Sequence, residues 1–226
     1  MDSEYRHIGR SGAQGVLEGA RAAQVLRNTY MLLGMSLAFA AAAGWFAAAL
    51  NVGFVNPWLV LGVYFGLLFA NAKLQNSAWG ILTVFGITGW LGFTTGPIVS
   101  AYAAVPGGME LVSMALTGTA GIFIAMSAVA LITRKDFSFL GNFLLVGVLV
   151  AFLGGVAALA FQLSMLAIVV SGMFVFLSSM LILWQTSRII HGGETNYIAA
   201  TVLLFVSLYN LFLSLLHLLT VLTGDD

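Results

Sequence analysis

LWQTSRIIHGGETNYIAATVLLFVSLYNLFLSLLHLL, residues 183–219, decides the fold. It holds the end of one apolar segment, a polar loop and a last apolar segment broken by Ser207, Asn210, Ser214 and His217. Their spacing of 3, 4 and 3 places all four in a stripe about 80° wide on a helix of 3.6 residues per turn. An unsatisfied polar group in hydrocarbon costs several kcal/mol, so the stripe should turn toward other helices or toward water. The last helix is therefore expected inside a bundle. Its stripe serves either for interhelical hydrogen bonds or as a solvated path.

The chain outside this stretch is of the same kind. Of its 226 residues, 61% are hydrophobic and 7% charged, whereas a soluble domain carries roughly 25% charged residues. This composition describes an integral membrane protein set in a lipid bilayer. A formal charge of zero offers no basic surface for nucleic acid. The absence of cysteine excludes disulfides and thiol chemistry.

Residues 1–27 are polar and hold Arg6, Arg10, Arg21 and Arg27 beside Asp2, Glu4 and Glu18. Glycines at 9, 12, 15 and 19 argue against a rigid helix. The expectation is a loose cytoplasmic tail, or a handle for a cytoplasmic partner, ahead of a seven-helix domain over 28–226. Spans are expected near 28–50, 56–72, 78–102, 109–132, 140–162, 164–184 and 197–221. Each approaches the roughly 20 residues that a helix needs to cross a bilayer. The first is too long for the apolar core of a cleaved signal peptide, despite the alanines at 40–43. The break between the fifth and sixth rests on Gln162 and Ser164, so six spans are conceivable from pattern alone. Charge decides for seven. All eight Lys and Arg residues, including Lys73, Arg134, Lys135 and Arg188, then fall on one side, opposite Asp225 and Asp226. The positive-inside rule puts that side in the cytoplasm, with the C-terminus outside.

Gly62 and Gly66 form one small-xxx-small pair, and Gly89, Gly92 and Gly96 share another helix face. Both are read as sites where helix backbones approach closely. Pro97 predicts a kink. Ser171, Ser178 and Gln185 recur at intervals of seven on the sixth span, facing the stripe of the last. None of the eight acidic residues falls in the middle of a span, although proton relays and cation sites use intramembrane carboxylates. His191 and Glu194 flank Gly192–Gly193 in a loop, a weak pattern for a metal. No HExxH, GxSxG or phosphate-binding glycine loop is present. The chain is accordingly not expected to be an enzyme or to carry a cofactor or metal.

Several stretches together resemble the Bax inhibitor family, and within it the bacterial YccA-like branch. They are VLRNTY at 25–30, GPIVSAY at 96–102, TRKDFSFLG at 133–141, IIHGGETNYIAAT at 189–201 and VSLYNLF at 206–212. The resemblance implies an all-α bundle of seven transmembrane helices with the last helix central. It also implies two functions. Many members are described as calcium leak channels gated by pH, in which two aspartates on the last two helices share protons. This chain has Gln185 and Ser207 at those positions, and neither carries a negative charge. The switch is therefore expected to be missing. The alternative of a calcium or proton path would run along Gln185, Ser207, Asn210, Ser214 and His217. The YccA-like branch is associated instead with the membrane AAA protease FtsH and its HflK–HflC partners. That makes the leading expectation a bacterial inner-membrane modulator of this protease.

Overall fold

A bilayer offers no water to an unpaired backbone, so long apolar runs must satisfy their amides internally as helices. The computed structural model describes residues 2–224, with side chains for Leu17 and 19–224. The acidic pair at 225–226, and the side chains of the charged residues before Leu17 and of Glu18, lie outside the described residues. Seven helices run in order: α1 Asp2–Ala49, α2 Pro57–Leu74, α3 Trp79–Ala103, α4 Gly108–Thr133, α5 Leu140–Phe161, α6 Ser164–Ile190 and α7 Tyr197–Thr223. Each contains a segment long and apolar enough to cross a membrane, Gly19–Ala49 in the case of α1.

The helix ends follow local chemistry. Asn56 starts α2 by accepting the Trp58 amide at 2.9 Å, with Pro57 in the first turn, where its missing N–H costs nothing. Gln162 turns left-handed at φ 54° and separates α5 from α6, which establishes the seventh span. Two expectations about helix bounds need correction. Residues 2–27 are not a loose segment but the first part of α1. An isolated glycine costs a helix only about 1 kcal/mol, and good helix formers such as Leu17, Arg21, Ala22, Ala23 and Gln24 follow. The sixth helix also continues past 184 to Ile190, because Ser187 and His191 near its end find partners in a neighbouring loop.

The last helix is central: α7 packs against α1, α3, α4 and α6. Ile87 and Leu91 of α3, Leu32 of α1, Ile182 of α6 and Leu204 and Leu208 of α7 share one buried cluster. α2 packs mainly on α3, and α5 on α6; Phe65 of α2 and Phe152 of α5 meet edge to face, with ring centroids 5.4 Å apart. The tightest seam joins α1 and α3. A Cβ on Gly92 would collide with the Ala40 carbonyl, and one on Gly96 with the Gly44 carbonyl. Lipid tails supply no hydrophobic drive between helices, so this backbone approach supplies dispersion contacts in its place. The Gly62–Gly66 pair differs from expectation. Both glycines face open space, because the face of α2 that carries them has no helix against it. α3 runs helically through Pro97 to Ala103.

Candidate functional site

The polar positions of α6 and α7 are placed by the contact between these two helices. Ser207 and Ser214 are buried, while Asn210 and His217 are half-buried. The structure joins one pair across the interface: His217 Nδ1 lies 2.8 Å from Ser171 Oγ. Ser207 instead donates to the Leu203 carbonyl of its own helix at 2.8 Å. Gln185 is wholly buried, and neither atom of its amide has a hydrogen-bond partner among the described residues.

Sequence reading missed four further buried groups without a partner among the described residues, one of them the Trp184 indole N–H. The hydroxyls of Thr29 and Ser36 on α1 and of Ser127 on α4 are also buried and unpartnered. Thr201 Oγ1 on α7 reaches the Thr29 carbonyl at 3.3 Å, and the Tyr30 hydroxyl lies 3.3 Å from Thr186 Oγ1 on α6. These contacts bring α1, α6 and α7 together at the depth of Gln185. A signal was present. Thr29 and Ser36 are seven residues apart, as are Ser178 and Gln185, and Ser207 and Ser214. Seven residues are about two helical turns, so each pair presents polar groups on one inward face.

Below this layer the loops of one end interlock. Ser187, fully buried, donates to the Lys135 carbonyl at 3.1 Å and accepts from the Phe137 amide at 3.1 Å. His191 places Nδ1 2.9 Å from the Ser187 carbonyl and Nε2 3.1 Å from the Arg134 carbonyl. Arg134 is left-handed at φ 49°, which turns the chain out of α4 into this contact. Asn196 caps α7 by accepting from Ile198 and Ala199, and its Nδ2 donates to the Gln75 carbonyl at 3.1 Å and to Asn76 Oδ1 at 2.8 Å. Arg188 pairs with Glu194 at 3.7 Å and lies over the Trp184 ring. Thus His191 and Glu194 face different partners. Asp136 accepts from the hydroxyl and the amide of Ser138, which holds its carboxyl below the usual carboxylate range. The end of α6, through Ser187 and His191, is therefore joined to the TRKDFS loop, while Asn196 joins the α6–α7 loop to the α2–α3 loop.

The fold and these contacts define a multi-pass membrane protein, a seven-helix bundle organised on its last helix. A family profile described as inhibitor of apoptosis-promoting Bax1 matches residues 22–224, and the chain belongs to this Bax inhibitor family. It is 47% identical over 199 residues to a protein of Escherichia coli K12 named Modulator of FtsH protease YccA, covering 87% of this chain and 89% of that one. It is 50% identical over 203 residues to an uncharacterised protein of Pasteurella multocida, covering 90% and 92%. It is 44% identical over 211 residues to an uncharacterised protein of Pseudomonas aeruginosa, covering 93% and 95%.

Proposed function

We propose that this chain is a non-enzymatic inner-membrane protein that binds and modulates an FtsH-type membrane protease, together with its HflK–HflC partners. The observation that carries the reading is the 47% identity to a relative named as a modulator of that protease, over nearly nine-tenths of both chains. A second relative at the same identity is named an inner membrane protein. Two physical features support it. First, the 17 residues Asp2–Glu18 continue α1 ahead of its apolar segment, a rod of about 25 Å. With the basic loops in the cytoplasm, it stands where an ATP-driven protease could engage it. Second, Gln185 and Ser207 are neutral, so the pair that would gate calcium by charge is not available.

Deleting residues 2–20 tests the handle. The shortened protein is expected to persist longer in protease-competent cells and to lose co-purification with the protease. An unchanged lifetime and unchanged co-purification, in a protein that still unfolds cooperatively, would overturn the assignment.

A further inference from the structure

Between α1 and α4 the bundle is incomplete. Both helices pack on α7, and a groove lies between them, lined by Leu37–Ala48 of α1, by α3 and by Met109–Phe123 of α4. The space left is a nearly all-apolar groove of about 660 Å³, floored by Phe205 and Leu208 of the central helix. Cavities of roughly 300–1,000 Å³ lined by apolar side chains are of ligand-binding size. We propose that this groove holds one acyl chain of a phospholipid from the leaflet at the C-terminal end of α7.

Three observations choose that occupant. The groove is continuous with the lipid-facing surface, since Trp45 on α1 and Leu116 on α4 line it and are 74% and 54% exposed. Its extent along α1 runs from Leu37 to Ala48. At 1.5 Å per residue this is about 16 Å, close to half of a hydrocarbon core roughly 30 Å thick. It is also closed at mid-depth. Tyr30 of α1 meets Phe123 of α4 edge to face, with ring centroids 5.7 Å apart, and Phe123 forms the inner end of the groove. A transmembrane helix of a partner, or of a second copy, would need a furrow open through both leaflets. An acyl chain anchored at the surface needs only one. The lining residues with a side-chain hydroxyl are Thr95, Thr119 and Tyr209. Thr95 and Thr119 donate to carbonyls of their own helices, Leu91 at 2.7 Å and Ala115 at 2.7 Å. No lining residue carries a charge that would choose between headgroups, so the groove takes a chain by apolar contact.

The full-length protein in lipid nanodiscs tests this with a phosphatidylglycerol carrying a diazirine at its chain terminus. Photolabelling is expected to concentrate at least tenfold on the groove, at Leu37, Phe123 and Phe205, over the exposed face of α5. A phosphatidylethanolamine with the same chain should label the same residues. After extraction in mild detergent, native mass spectrometry should find one phospholipid retained per chain. Ala41→Phe with Ala120→Phe, which fills the groove from both walls, should cut that retention at least tenfold. Labelling spread equally over α5, or equal retention by the filled variant, would overturn the proposal. So would disulfide pairing of two copies through Leu116→Cys, which would make the groove a protein interface. The labelling needs no variant, so a filled variant that fails to fold leaves the decision with the natural chain.

Discussion

Gln185 and Ser187 stand two residues apart on α6, both fully buried, yet their surroundings are opposite. Ser187 has both a donor and an acceptor partner in the α4–α5 loop, where backbone groups emerging from a helix end need bonds. Gln185 sits one half-turn deeper, where the neighbouring backbones are helical and already paired with themselves. No described protein group bonds its amide, and the hydroxyls of Thr29, Ser36 and Ser127 share that condition. The lesson is that burial alone does not make a polar residue structural. What decides is whether a helix end or a loop lies within reach. A side chain held without a partner is not explained by stability, since replacing such a group by an apolar one of the same shape is neutral or favourable.

The contrast is open to attack, most forcefully by adding charge to its unpartnered side. Gln185→Asp combined with Ser207→Asp would bury two carboxylates, each costing several kcal/mol when ionised. The unfolding midpoint should fall sharply at pH 8 and less at pH 5, where protonation removes the charge. In proteoliposomes the natural chain should pass no calcium between these pH values. Flux from the natural chain would sink the assigned loss of the charge switch, whereas flux from the double variant alone would show that the bundle keeps a path without its gate.

Ser187→Ala should be the most damaging neutral change. It strands the Phe137 amide and the Lys135 carbonyl, at a cost of about 2–4 kcal/mol in cooperative unfolding. Gln185→Met should do the reverse and raise stability by about 1–2 kcal/mol. A loss instead would mean that the amide has a partner in the working protein, and would assign Gln185 a ligand or ordered water. His191→Ala removes the bond to the Arg134 carbonyl, worth about 1 kcal/mol, and should speed amide hydrogen exchange over 134–139. The smallest effect is at Asp136. Its carboxyl is held low by Ser138, so this contribution is present above the ordinary carboxylate range and is lost as pH falls through the lowered value. Ser138→Ala should move the titration of Asp136 upward toward an ordinary aspartate, as read by carboxyl NMR.

Much of the bundle was legible because membrane spans are written in consecutive residues. The run of apolar residues from Leu140 to Phe161 needs no partner to be recognised, and the stripe from Ser207 to His217 already turned α7 inward. The Gly89–Gly92–Gly96 face was likewise readable, since its spacing is a property of one helix. The identical logic failed for Gly62 and Gly66, because whether a second helix stands opposite is not written locally. The course of α1 was misread for a related reason: glycine weakens a helix by an amount that the neighbouring residues can outweigh. Among the candidate positions, the approach of His217 to Ser171 could be suspected from two periodicities, but the isolation of Gln185 could not.

By itself the sequence determined class, span number and the inward face of the last helix, because hydropathy and helical period act over neighbouring residues. It also determined that positions 185 and 207 carry the neutral side chains of Gln185 and Ser207. Only the tertiary structure decided which buried hydroxyls and amides have partners, that Ser187 and His191 meet the TRKDFS loop, and that a groove lies between α1 and α4. Those outcomes depend on which backbone carbonyl or ring arrives from a distant part of the chain, and helix packing alone sets that distance.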